Sequence, residues 1–399
     1  MSKVSPLARP KVLIAMGAVA GGTLTHIEYF LSCTDSTEFD VHLAVSGLRD
    51  ASARSRFEEW RAAGWKVHDV PMLRRAAPVR DALAFRRLVG LCLRERFDIV
   101  HTHCAKAGFL GRLAARLAGA MTVHTPHVFP FGRGGCPSAE RVYLALERRA
   151  ARWTDRLVLL SRYQLNLVLR HGLLPADRTV TIPNGVDSRR FSGLDGPAAR
   201  ANMGLGSHEP VALAVGRLCG QKGMDVLIDA LALTARIGAA PLVLIVGSGP
   251  LERALRAQAE RLAFGDRVRM LGATTAIEPC YAACDLVVMP SRFEGMPYVI
   301  LEAKAAGRPA AVSSVSGMEE FVRHGEDGFL VPPDNTEAWA RVLSLLSTDR
   351  RAFLAAGERA KAGLRPEWHA RRSVERLHAV YRELAEEKRE RSLKGCAGV

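Results

Sequence analysis

Several features that would place a chain of 399 residues in a class at once are missing here. Nowhere do 18 consecutive apolar residues occur, so no transmembrane helix is expected. Residues 1–11 carry three basic residues and run into a short apolar stretch, but Gly21-Gly22 soon breaks it. No convincing cleavage site follows, so a signal peptide is not expected either. The eight cysteines include no Cys-x-x-Cys pair. Cys280 and Cys284 stand one helical turn apart and read as small buried apolar residues rather than metal ligands. A reducing compartment, the cytoplasm, follows from that usage. Neither half holds a clean G-x-G-x-x-G with an acidic residue about 20 positions on, which disfavours a nicotinamide oxidoreductase. Outside the last ten residues no segment is compositionally disordered, and a 48% hydrophobic content suffices for real cores. By length, two or three domains are expected.

Charge is present in excess, and it is unevenly placed. The chain carries 56 basic and 41 acidic residues, a net of +15. Residues 1–190 hold 29 Lys and Arg against 16 Asp and Glu, a net of +13, and the remainder is close to neutral. A basic half suits nucleic acid, an anionic membrane surface or a phosphorylated substrate. An arginine-rich genome would raise the charge without any partner.

Short β-branched runs alternate with amphipathic segments along the whole chain. Strands are expected at residues 12–15, 41–45, 66–70, 98–103, 121–125, 157–160 and 179–182, then at 211–215, 242–246, 268–271, 286–289 and 310–313. Helical patterns cover residues 81–96, 105–118 and 138–153. Such alternation predicts an α/β chain with two doubly wound parallel sheets. The Gly-, Pro-, Asp- and Ser-rich stretch 184–209 is the expected boundary, and a long charged helix over about 367–390 closes the chain. In such sheets ligands bind at the carboxyl edges of the strands.

The polar residues on those edges are therefore the candidates. Pro290-Ser-Arg-Phe-Glu-Gly-Met-Pro-Tyr-Val-Ile-Leu-Glu-Ala-Lys-Ala-Ala-Gly307 follows the apolar run 286–289. Gly295 supplies a permissive turn and Pro297 suits the first position of a helix. Glu294 then lies in the loop and Glu302 more than one turn inside the helix, where they can hold two parts of one polar ligand. The backbone amides in the stretch Met296 to Val299, those of Met296, Tyr298 and Val299, suit an anion or sugar hydroxyls at the helix start. The plain alternative is a strand–turn–helix with two solvated glutamates. Gly216-Arg-Leu-Cys-Gly-Gln-Lys-Gly223 places Arg217 and Lys222 around a glycine loop, a clamp for a diphosphate. It departs from a P-loop because Gly223 follows the lysine. Gly247-Ser-Gly-Pro250 is a second loop of this kind, or only a strand–helix turn. In the first half, Met16-Gly-Ala-Val-Ala-Gly-Gly22 lets backbone approach a ligand. His101-Thr-His103 and His124-Thr-Pro-His127 end two strands. No Asp, Glu or Cys completes a tight zinc spacing around them, so one is read as a hydrogen-bond donor to ligand and the rest as structural.

In order, these segments resemble the retaining GT-B glycosyltransferases of family 4, of the bacterial exopolysaccharide, capsule and lipopolysaccharide kind. The resemblance rests on Gly216-Arg217 with Lys222-Gly223, on Gly247-Ser-Gly-Pro250, and on Glu294 and Glu302 as E-x7-E. Ile182-Pro-Asn-Gly-Val-Asp187, Asp98-Ile-Val-His-Thr-His103 and Lys106-Ala-Gly-Phe-Leu-Gly-Arg112 extend it over about residues 11–385. The family implies two Rossmann-like domains facing a central cleft. Residues 1–187 would be the acceptor side and 188–375 the nucleotide-sugar side, with a helix over about 376–399 crossing back to the first domain. It implies that Arg217 and Lys222 neutralise the diphosphate, and that Glu302 holds the ribose. Glu294, with Gly295, Met296 and Pro297, would hold the transferred sugar. Gly216 and Gly247 would line the donor site, and Gly21 and Gly22 would approach the donor from the first domain. His127 matches the sugar-facing histidine, although Val128 stands where the family often has glycine, which leaves His124 as the alternative. Transfer would retain the anomeric configuration and need neither metal nor other cofactor.

The expected partners are a nucleotide-sugar donor, a lipid-linked or other saccharide acceptor, and an anionic membrane met peripherally from the cytoplasmic face. For that surface the arginines 74, 75, 80, 86, 87, 94 and 96 interleave with Leu83, Phe85, Leu88, Leu91 and Leu93. Two other classes fit parts of the pattern. A nucleotide-sugar epimerase or hydrolase would use a related site. A basic nucleic-acid-binding protein would not need Glu294 and Glu302 beside a cationic loop, so no nucleic acid is expected.

Overall fold

The computed structural model describes residues 9–17, 19–48, 53–73, 75–132, 136–236, 240–262 and 264–397. Ala18 of the first glycine loop, Arg74 and residues 133–135 lie outside them. The chain divides into two compact units. Unit 1 comprises Met1–Pro183 and Ala370–Val399, and unit 2 comprises Asn184–His369.

Unit 1 is built on a sheet of seven parallel strands. They are β1 (Lys11–Met16), β2 (Asp40–Val45), β3 (Lys66–Asp69), β4 (Ile99–His103), β5 (Met121–Thr125), β6 (Arg156–Leu159) and β7 (Thr179–Thr181). Their order is β3-β2-β1-β4-β5-β6-β7, so the winding reverses between β1 and β4. Both faces of the sheet are covered, which is why β1 reads as an unbroken apolar run. Val12, Ile14 and Met16 pack into one core cluster, and Leu13 and Ala15 into the cluster on the other face. The first cluster takes in Val374, Leu377, Val380, Tyr381 and Leu384 of the closing helix, Ala370–Ala397. On the other face the helix Ala105–Leu117 sits so close that a Cβ at Gly111 would lie 2.6 Å from the Thr102 methyl.

Unit 2 repeats the plan with six parallel strands. They are β8 (Val211–Val215), β9 (Leu242–Val246), β10 (Val268–Gly272), β11 (Leu286–Met289), β12 (Ala310–Ser313) and β13 (Gly328–Val331). The order β10-β9-β8-β11-β12-β13 reverses between β8 and β11.

The expected strands all form, with ends displaced by a residue or so. β13 was not among the expected strands, and its first residue is a glycine. That glycine is needed: a Cβ at Gly328 would lie 2.3 Å from the carbonyl oxygen of Ala310 on β12. The unit boundary falls at 183/184 and the return at 369/370, rather than at 187/188 and 375/376. Asn184 belongs with unit 2 because its side-chain amide donates to the Met296 carbonyl at 2.7 Å. The last helix starts at Ala370, after a 3-10 turn at Pro366–Trp368, rather than at 367.

Candidate functional site

The reversal point of unit 2 gathers the candidates of the second half. At the carboxyl end of β8 the loop from Gly216 leads through a 3-10 turn, Gly220–Lys222, to Gly223. Gly216, Gly223 and Gly247 all hold positive φ, at 152°, 63° and 141°. A Cβ at Gly247 would lie 2.0 Å from the Gly216 carbonyl oxygen, and one at Gly223 would lie 2.0 Å from that of Pro290. Three loops therefore touch backbone to backbone, which only glycine permits. The turn after β9 is thus packed directly on the Arg217 loop. The Leu218 amide donates to the Ser248 carbonyl at 3.0 Å and the Arg292 amide to that of Gln221 at 2.8 Å.

Arg217 is exposed and makes no ion pair among the described residues. Lys222 reaches across to the loop after β11, where its Nζ donates to Glu294 Oε1 at 2.6 Å. Glu294 is buried, and the Lys222 side chain keeps 17% of its exposure. A lysine ammonium has three donors, so this pair leaves others for a ligand. The Glu294 amide donates to Ser316 Oγ at 3.4 Å, and Ser316 holds the left-handed conformation at φ 55° beside Gly317 at 81°. Strain of that kind persists only where the surroundings fix it.

Pro297 is the cap of the following helix, not its first residue. Its ψ of 134° is extended, and the helix runs Tyr298–Ala305. Gly295 is likewise outside the left-handed region, so the turn does not use the freedom expected of it. The loop at Met296 is instead held by Asn184, whose Oδ1 is buried without a hydrogen-bond partner. Glu302 is buried inside the helix and accepts from the Tyr281 hydroxyl at 2.6 Å. Burial raises its carboxyl above the usual range, against the opposing pull of Tyr281 and Arg190. Burial likewise lifts the Tyr281 phenol well above its ordinary value, helped by the neighbouring Glu302.

Unit 1 gathers its candidates at its own reversal point. Gly21 caps the helix Gly22–Cys33 with φ 56° and has open space around it. His101 is fully engaged, with Nδ1 2.6 Å from the Tyr381 hydroxyl and Nε2 2.8 Å from Thr125 Oγ1. His124 lies in the core with Nδ1 2.9 Å from Thr102 Oγ1, packed on Gly108, where a Cβ would lie 2.4 Å from the ring. His127 is only half-buried and holds φ 56°. The Gln164 amide donates to its carbonyl at 2.9 Å, and His103 Nδ1 stands 3.0 Å from its Nε2. Burial drives all four of these imidazoles well below their ordinary pKa, so they are neutral near pH 7.

Sequence reasoning missed His26, Tyr281, Ser316 and the part played by Asn184. His26 stands one turn after Gly22 and joins the histidines of β4 and β5. Its distance from the glycine loop was the one available signal. Nothing local marks Tyr281 or Ser316, whose partners are 21 and 22 residues away.

Two Rossmann-like units, each with a glycine loop at its reversal point and one with a cation–carboxylate pair, define the class. The structural neighbours are GT-B enzymes. HepE of Anabaena, solved with UDP-glucose, matches at a TM-score of 0.78 and 22% identity over 94% of this chain and 99% of that one. WaaG, a glycosyltransferase involved in lipopolysaccharide biosynthesis, matches at 0.71 and 20% identity over 90% and 96%. Residues 21–185 match the glycosyl transferase 4-like domain and residues 209–349 the glycosyl transferases group 1. The UDP-Gal:alpha-D-GlcNAc-diphosphoundecaprenol alpha-1,3-galactosyltransferase of Escherichia coli is 33% identical over 70% of this chain and 74% of its own. The D-inositol 3-phosphate glycosyltransferase of Rhodococcus opacus is 34% identical over 65% and 62%. The chain belongs to the group 1 glycosyltransferases with a family-4-like first domain, and is related to enzymes of cell-surface polysaccharide synthesis.

Proposed function

We propose that this glycosyltransferase moves a hexosyl unit, with retention, from a UDP-sugar to a hydroxyl of a lipid-diphosphate-linked saccharide. The observation that carries the reading is the Lys222–Glu294 pair beside the uncommitted Arg217, on adjoining loops at the reversal point of unit 2. Arg217 and a free donor of Lys222 neutralise the diphosphate and stabilise it as it leaves. Gly216 and Gly247 keep the backbone low beneath it. Glu302 accepts from the ribose hydroxyls, and Glu294 with Gly295, Met296 and Pro297 holds the transferred sugar. For His127, Gly21 and Gly22 we keep the roles that the family implies, a hydrogen bond to the sugar and close approach to the donor. The half-buried position of His127, against the enclosed one of His124, favours it for that role.

The acceptor oxygen bonds to the anomeric carbon on the face that the diphosphate leaves. Its proton passes to the departing phosphate oxygen as the carbon–oxygen bond breaks. Two cations on the phosphates supply the charge neutralisation that a metal gives elsewhere, so the reaction needs none. The UDP and lipid-linked partners named for HepE and the Escherichia coli relative support this choice of donor and acceptor.

The enzyme meets its acceptor at the cytoplasmic leaflet through the helix Pro78–Glu95. There Val79, Leu83 and Leu93 face outward among Arg80, Arg86, Arg87 and Arg94, while Leu88 and Leu91 are buried. No helix among the described residues is long and apolar enough to cross a membrane. The test is product analysis with a UDP-sugar and a polyprenyl-diphosphate-linked sugar. A lengthened acceptor with the donor's anomeric configuration is expected. Inversion would remove the same-face mechanism, and an altered donor with no lengthened acceptor would favour an epimerase.

A further inference from the structure

Three imidazoles converge in unit 1 from three separate elements. His26 comes from the helix Gly22–Cys33, His103 ends β4 and His127 follows β5. One ring nitrogen from each lies within 4.8 Å of the other two. His103 Nδ1 and His127 Nε2 are 3.0 Å apart, and the His26 ring centre stands 5.0 and 4.9 Å from theirs. Two imidazoles bound tetrahedrally to one zinc at about 2.0–2.1 Å have nitrogens about 3.3 Å apart. The pair is thus close to ligand spacing already, and a ring nitrogen of His26 lies within 4.8 Å of both. His101 takes no part, both its nitrogens being committed to Tyr381 and Thr125, and His124, bonded to Thr102 through Nδ1, lies outside the convergent group.

We propose that His26, His103 and His127 form a binding site for a divalent transition metal ion of the zinc, cobalt, nickel and copper group, and that its occupancy switches sugar transfer off. Neutral imidazole is the ligand that these ions favour. The proton now shared between His103 and His127 moves to the far nitrogen of its own ring. Both facing nitrogens then offer lone pairs, and no net proton is released. Three protein ligands leave a fourth position for water. Inhibition follows because His127 cannot hold both the metal and the sugar. That second half rests on the proposed role of His127, whereas the binding does not.

The test is a titration of the full-length protein with cobalt(II), chelator-free, read by its visible absorption. One saturable equivalent is expected, with no thiolate charge-transfer band. His26→Gln and His103→Gln should each weaken binding at least about tenfold. His26→Gln is the safer variant, since its position is half-buried on a helix. Far-ultraviolet circular dichroism would establish that it stays folded. Zinc should then inhibit transfer by the wild type along the binding curve and spare His26→Gln. No saturable binding, a thiolate band, or equal affinity in wild type and both variants would overturn the site. Binding without inhibition would overturn the switch.

Discussion

Lys222→Met removes the ammonium that holds Glu294 and keeps the length of the side chain. The Glu294 carboxylate, buried to 7% of its exposure, is then stranded without a cation. Breaking a buried pair from one side costs about 3–5 kcal/mol. Because the Lys222 side chain keeps 17% exposure, solvent already screens the pair, and we place the loss at about 2–3 kcal/mol. For a domain the size of unit 2, each kcal/mol moves the midpoint by about 2–4 °C, so Tm should fall by about 4–12 °C. Glu294→Gln strands an ammonium that can turn to water, and should cost about 1 kcal/mol. The double variant, Lys222→Met with Glu294→Gln, should recover most of the lysine loss. Thermal unfolding of all four proteins gives the coupling directly. A nucleoside diphosphate should raise Tm for the wild type and Glu294→Gln, and much less for either lysine variant. Losses that add within about 0.5 kcal/mol would mean that the pair is not coupled, and the site as described would be wrong.

Acid should destabilise unit 1 through two histidines outside the candidate site. Burial holds His42 and His378 at about 4, against 6.5 for an exposed imidazole. His42 faces Asp40, Lys66, His68 and Glu95, and His378 faces Thr34, Glu375 and Arg382. The unfolded chain takes up protons below 6.5 while the folded one does not, so stability is lost as pH falls from 6.5 toward 4. Each histidine should remove about 1.4 kcal/mol near pH 5.5, and His42→Asn with His378→Asn should lessen that slope by their share, while the buried imidazoles of His101, His103, His124 and His127 keep theirs. An unchanged slope would exclude them as the cause. Gly247→Ala should abolish nucleotide binding and lower Tm, because its Cβ would lie 2.0 Å from a carbonyl oxygen. Gly220→Ala, with nothing within 4 Å, should bind normally, and equal behaviour of the two would refute the close-contact argument. Replacing Arg86, Arg87 and Arg94 with Ala should cut sedimentation with anionic vesicles about a hundredfold at low salt, at about 1 kcal/mol per charge. Binding that ignores both lipid charge and salt would rule out the electrostatic attachment.

The parallel strands were legible because strands covered on both faces leave continuous apolar runs, as at Val211–Val215 and Leu242–Val246. Loops at their carboxyl ends then marked Arg217, Lys222 and Glu294, since each lies a few residues beyond a strand. The partnerships were not legible. Lys222 and Glu294 are 72 residues apart, and Tyr281 meets Glu302 from a separate helix on the other side of β11 in the chain. His26 looked like an ordinary helical residue until β4 and β5 brought His103 and His127 beside it. The strand at Gly328–Val331 was not legible either, because the need for a glycine at its start comes from the close approach of β12.

The central claim is that unit 2 holds a nucleotide-sugar so that Glu294 serves the transferred sugar rather than the nucleotide. Release of nucleoside diphosphate, followed with and without added acceptor, tests it most directly in the wild type and in Glu294→Gln. The wild type should release it only when acceptor is present. Glu294→Gln should bind the nucleoside diphosphate nearly as well and release almost none from the donor. Activity in Glu294→Gln within a few-fold of the wild type, or release that ignores the acceptor, would contradict the account.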